Sequence, residues 1–146
     1  MRVIVYICVL FALLAADARA ALRPGPTPAA VERVVDGDTV RMRVAVWIDQ
    51  ELTVAVRVAG VNAPELFRAA CPAEKAKAQD AKAFVERFLE GREAVLSDIR
   101  RGKYAGRVVA RIEADGADLG AALVAAGLAV EEGRGAWCLS AAGSSP

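Results

Sequence analysis

The chain of 146 residues contains no histidine. That absence removes Ser-His-Asp and Cys-His catalysis, histidine general bases and histidine-ligated zinc. Any chemistry must run on carboxylates, arginine, lysine, tyrosine or a metal bound by oxygen. Cysteine is also sparse, at three residues, too few without histidine to complete a zinc shell. No internal repeat is present. After the first twenty residues, no apolar run approaches the roughly 20 residues that a membrane-spanning helix needs. A basic excess, the usual mark of a nucleic-acid grip, is missing as well. The whole chain has 19 basic and 18 acidic residues, and setting aside the first twenty removes Arg2, Arg19 and Asp17, which brings the two into balance.

Those first twenty residues, MRVIVYICVLFALLAADARA, have their own layout. Arg2 precedes an apolar run from Val3 to Ala16, and Ala18-Arg19-Ala20 closes it with a small-x-small cleavage pattern. This is the plan of a secretory signal peptide; an uncleaved anchor is the alternative. Export to a periplasm or to the medium follows, with no stable membrane association after cleavage. Cys8 leaves with the signal, so Cys71 and Cys138 remain. An even cysteine count in an exported chain suggests a Cys71–Cys138 disulfide, against the alternative of two free thiols. Residues 21–28, rich in proline and glycine, read as a flexible leader. Residues 139–146 read as a disordered tail. One domain, 29–138, lies between them, and a monomer is expected.

Within the domain, the first half is strand-like. Asp36-Gly37 marks a hairpin between two β-rich runs. Val40, Met42, Val44, Val46 and Ile48 alternate with Arg41, Arg43, Ala45 and Trp47, a period of two with one buried face. Val54, Val56 and Val58 repeat the pattern in a third strand, which turns Arg57 to the opposite face. A helix follows, opened by Pro72 and Glu74, with Ala81, Phe84, Val85, Phe88 and Leu89 as its core stripe and Gly91 as its cap. Two more strands, 94–99 and 106–114, lead to a turn at Asp115-Gly116. A short helix then has Asp118 as N-cap, Leu119, Leu123 and Ala126 facing inward, and Gly127 as its stop. The order predicts a mainly β, α+β protein: a five-stranded OB-fold barrel with a long helix between strands 3 and 4 and a short C-terminal helix. An open α+β sandwich is the alternative.

Three segments carry candidate chemistry: DGDTV at 36–40, RVAGVNAPE at 57–65 and KYAGR at 103–107. Each alone is generic. Together they hold the parts that phosphoryl transfer without histidine requires: oxygens for a hard cation, a carboxylate for water, and cations for the transition state. Asp38 can ligate metal, Glu65 can act as base, and Arg57 and Arg107 offer planar bidentate donors. With the helix AEKAKAQDAKAFVERFL and the segment ADGADLGAALVAAGLA, these stretches resemble, from about Ala30 to Leu128, the staphylococcal nuclease-like (thermonuclease) family. The resemblance implies hydrolysis of DNA and RNA, preferably single-stranded, to 3′-phosphates with one Ca²⁺. It implies metal ligands at Asp38, Asn62 and the carbonyl of Ala63. It also implies catalytic Arg57, Glu65 and Arg107, and phosphate contacts from Lys103 and Tyr104.

Three departures bear on that implication. Asn62 stands where the family has a second metal-binding aspartate, so the shell loses one charge while keeping an oxygen. Ala105 is inserted before Gly106-Arg107, which would rotate Arg107 or form a bulge. The family's base-stacking tyrosines are absent; VEEGRGAW stands there, and Trp137 is either a substitute stacking surface or a packed residue. A binding module on the same barrel, or a structural envelope protein without a ligand, are the competing expectations. Convergence of Asp38, Arg57, Glu65 and Arg107 on one pocket discriminates the last from the others.

Overall fold

A computed structural model describes residues 25–131, 133 and 135–138. The expected signal segment, residues 21–24 of the leader and the tail 139–146 lie outside the described residues. The remaining part of the expected leader is partly ordered as strand: β1 spans Thr27–Asp36, and Thr27 and Pro28 pair with Leu96 and Val95.

β1 turns through Gly37 and Asp38 into β2 (Thr39–Trp47), and β2 into β3 (Gln50–Val58). The first turn depends on its glycine. A Cβ at Gly37 would sit 2.7 Å from the Ala81 Cβ and 2.9 Å from the Ala63 Cβ, so only glycine lets the turn nest against the long helix. β4 (Val61–Asn62) follows, then α1 (Pro72–Leu89), β5 (Ala94–Arg101), β6 (Arg107–Ala114), β7 (Ala117–Asp118), α2 (Leu119–Ala125) and β8 (Val130–Glu131).

The sheet order is β3-β2-β1-β5-β6-β7, and a parallel β3–β6 pairing joins its two sides. Five strands thus close into a barrel with no free edge between them, the OB-type solution to the edge-strand problem. Val40, Met42, Val56, Leu96 and Ile112 fill it. Ala78, Ala81, Val85 and Leu89 of α1 are buried, as are Leu119 and Leu123 of α2. Asp118 caps α2 through the Ala121 N–H at 2.7 Å.

Several details differ from the sequence expectation. The buried face of β2 stops at Val44; Val46 and Ile48 are 47% and 77% exposed, because the β2–β3 hairpin overshoots the barrel. Phe84 and Phe88 are only half-buried and stack on each other at 6.1 Å. Ala126 follows the end of α2 and is exposed rather than inward. β4 pairs with β8, a contact that no local pattern announces.

Cys71 and Cys138 form a disulfide across 67 residues of sequence. Closing a loop of that length stabilises a domain by roughly 4 kcal/mol. Cys71 also occupies the N-cap of α1, so the bridge ties the start of that helix to the C-terminal segment.

Candidate active site

The β1–β2 turn places Asp38, and cross-strand pairing brings Arg57 to it. Thr39 and Arg57 are register partners, and Val58 N–H donates to the Asp38 carbonyl at 2.8 Å. Arg57, off the core face as the alternation requires, sends Nη1 to Asp38 Oδ1 at 2.6 Å. Its Nη2 donates to the Val61 carbonyl and to Asn62 Oδ1, both at 3.3 Å. Asp38 is 5% exposed. It offsets the cost of burying its charge with two further contacts: Thr39 Oγ1 donates to Oδ1 at 3.1 Å and Ala63 N–H to Oδ2 at 3.0 Å. The Asp38 N–H itself donates to Asp36 Oδ1 at 3.1 Å.

Arg107 joins the same network from across the barrel. Its Nη2 donates to Thr39 Oγ1 at 2.9 Å. Ala105 does not turn the guanidinium away: the extra residue is absorbed in a turn where Gly102 N–H donates to the Arg107 carbonyl at 2.9 Å and Gly106 takes φ +74°. Arg107 Nε is buried with no hydrogen-bond partner. A guanidinium with one donor committed and another buried and unmet retains capacity for an oxyanion. Lys103 and Tyr104 are exposed on that turn, with Lys103 Nζ 5.7 Å from the tyrosine ring centre. They line an open cleft of about 710 Å³ together with Arg101, Arg107, Leu52 and Val54.

Glu65 is held differently. Its side chain is exposed, and only its backbone is fixed: Glu65 N–H donates to Glu74 Oε1 at 3.2 Å. Ala70 N–H donates to the other oxygen of Glu74 at 2.6 Å. One carboxylate, 7% exposed on α1, pinches the neck of a loop running from 65 to 70.

The structure thus brings Asp38, Arg57, Asn62, Ala63 and Arg107 into one hydrogen-bonded network. It leaves the Glu65 side chain at the rim and Lys103 and Tyr104 in the adjoining cleft. Ala63 enters this network through its N–H. Trp137 is half-buried, with Lys77 Nζ 5.0 Å above its ring, so it is packed rather than presented. Sequence reasoning passed over Asp36, Thr39 and Glu74. The first two flank Asp38 and could have been found there; Glu74 reads only as a helix-start acid.

The donor chemistry suits a hard cation. Burial, and then repulsion from Asp38, push the Asp36 carboxyl above the usual aspartate range, a strain that a nearby cation relieves. Among the described residues no three carboxylate, cysteine or histidine groups converge. A cation here would therefore draw further oxygens from Asn62, backbone or substrate.

A family model described as staphylococcal nuclease homologue matches residues 55–136, more than half of the chain. The chain belongs to the staphylococcal nuclease homologue family. No curated protein matches it. The matched span includes Arg57, Asn62, Glu65 and Arg107, while Asp38 and Thr39 precede it and join them through the barrel. Within this family a nucleic-acid substrate and a general dependence on calcium are the norm.

Proposed function

We propose that this nuclease homologue is an exported, calcium-dependent nuclease that hydrolyses DNA and RNA phosphodiesters to 3′-phosphate products, with single strands preferred. The observation that supports it is the single network joining Asp38, Thr39, Arg57 and Arg107 beside the Glu65 loop. Asp38, Asn62 and the Ala63 carbonyl would hold one Ca²⁺, which supplies positive charge against the phosphate oxygens when bound. Arg107 offers free donors to a phosphate, and Arg57 adds a second guanidinium fixed beside it. Glu65, exposed at the rim, accepts a proton from the attacking water. Lys103 and Tyr104 contact a neighbouring phosphate from the cleft. The disulfide accords with an oxidising compartment, periplasmic or extracellular. Among the described residues no helix is long and apolar enough to cross a membrane. The domain acts as a monomer.

A second reading, a binding module with little or no catalysis, draws on one feature. Both Asp38 oxygens already accept from protein donors, and Asn62 adds no charge.

The test is cleavage of single-stranded DNA by the mature protein in millimolar Ca²⁺. Chelation stops cleavage, and Glu65→Gln lowers turnover at least about tenfold. Cutting that survives both manipulations overturns the mechanism. Oligonucleotide binding with no hydrolysis under Ca²⁺, Mg²⁺ or Mn²⁺ establishes the second reading instead.

A further inference from the structure

The tip of the Glu65 loop has a feature that the proposed chemistry does not use. Glu74 fixes the loop at both sides of its neck, through Glu65 N–H and Ala70 N–H. Residues 66–69 therefore project as a short tip. Leu66 and Ala69 are half-buried, while Phe67 is 75% exposed and Arg68 is exposed beside it. A phenylalanine left in water forgoes roughly 1.5–3 kcal/mol of burial, and here it does so on a loop whose base is pinned.

We propose that Phe67, with Arg68, forms a base-stacking subsite for the single-stranded nucleic acid presented to this site. The inference rests on the nuclease reading above and adds a residue to it. Phe67 lies two residues from Glu65, so their Cα atoms are at most about 7 Å apart, within reach of a nucleotide flanking the scissile phosphate. A flat apolar face next to a guanidinium suits a base and its phosphate together. Stacking also supplies grip that does not depend on a large basic excess, which this chain lacks.

The other aromatic candidates fit less well. Trp47 is 73% exposed, but it sits at the far end of β2 from Thr39, about 27 Å along the strand. Lys77 covers Trp137. Tyr104 is 62% exposed but lines the cleft of the turn before Arg107, next to Lys103, and is already assigned to a neighbouring phosphate there.

Fluorescence anisotropy with a labelled single-stranded oligonucleotide tests the subsite, comparing the natural protein with Phe67→Ala, Phe67→Tyr and Trp47→Ala. Phe67→Ala weakens binding roughly 5- to 100-fold, while Phe67→Tyr stays within about twofold because the ring face is kept. A strand with a run of abasic residues is bound equally by the natural protein and Phe67→Ala. Thermal melting is the same for all four proteins, since neither exposed ring packs in the core. Equal binding of the normal strand by Phe67→Ala and the natural protein overturns the subsite alone. An equal loss on the abasic strand also overturns it, by showing that no base is read. A natural protein that neither binds nor cuts the strand overturns the nuclease reading and the subsite with it.

Discussion

Asp38 and Glu65 are both carboxylates on turns beside the barrel mouth, yet the fold treats them in opposite ways. Asp38 is 5% exposed, and its oxygens accept from Thr39, Arg57 and the Ala63 N–H. Glu65 is exposed, and only its backbone is anchored, through Glu74. Asp38 belongs to a floor assembled by β1, β2, β3 and β6 together, where loss of one group leaves others with unmet charge. Glu65 belongs to a loop whose geometry rests on one buried glutamate and, behind it, on the disulfide at the start of α1. Removing a floor group should therefore change chemistry and stability in different proportions from removing a loop group.

The largest effect is expected at Arg107. Arg107→Ala removes a preorganised donor to the transition-state charge and lowers cleavage by about 10²–10³-fold. It removes only the single bond to Thr39 and a buried unpaired Nε, so unfolding free energy falls by no more than about 1 kcal/mol. Cleavage rates beside a denaturant midpoint check the pair of numbers. A large loss of stability would show that Arg107 is part of the floor's structure rather than a group held ready for substrate.

Glu74→Gln addresses the loop from behind. Glutamine keeps one acceptor oxygen where glutamate offers two, so either Glu65 N–H or Ala70 N–H loses its partner. The expected cost is about 1–3 kcal/mol of stability, with turnover reduced several-fold because Glu65 is no longer held in place. Glu65→Gln should show the converse, with turnover reduced and melting unchanged. If Glu74→Gln loses stability and keeps full turnover, the clamp matters for folding and not for the position of Glu65.

How much of this was legible in advance follows the range of each contact. The Asp36-Gly37 turn, the alternation that turns Arg57 off the core face, and the Asp118 cap depend on residues a few positions apart, and the chain's pattern displays them. The Arg107–Thr39 bond spans 68 residues and exists only because β3 and β6 pair in parallel to close the barrel, a connection no local period encodes. Glu74 was visible as a first-turn acid, which the helix dipole alone accounts for; its second role needs the loop folded back over it. Val46 and Ile48 continue the apolar alternation of β2 past the point where the barrel has anything to pack against them. The family's motifs supplied the candidate site residues, but the bond from the Ala63 N–H to Asp38 is visible only in three dimensions.

The smallest expected effect is at Asn62, where floor and loop meet. Asn62 Oδ1 accepts from Arg57 Nη2 at 3.3 Å, so Asn62→Asp adds a negative charge between a resident guanidinium and the place a cation would occupy. Both would be attracted. At equal distance a divalent ion gains twice the Coulomb energy that a single guanidinium does, and Arg57 already has Asp38 as a partner at 2.6 Å. The balance therefore favours the cation, and Ca²⁺ affinity should rise about tenfold, a change of about 1.4 kcal/mol. Calcium titration by calorimetry reads this without substrate. Cleavage at saturating Ca²⁺ should change less, because the arginines and Glu65 are untouched. If affinity is unchanged, the new carboxylate has been taken up by Arg57, and the asparagine is the choice that leaves this arginine available to the phosphate.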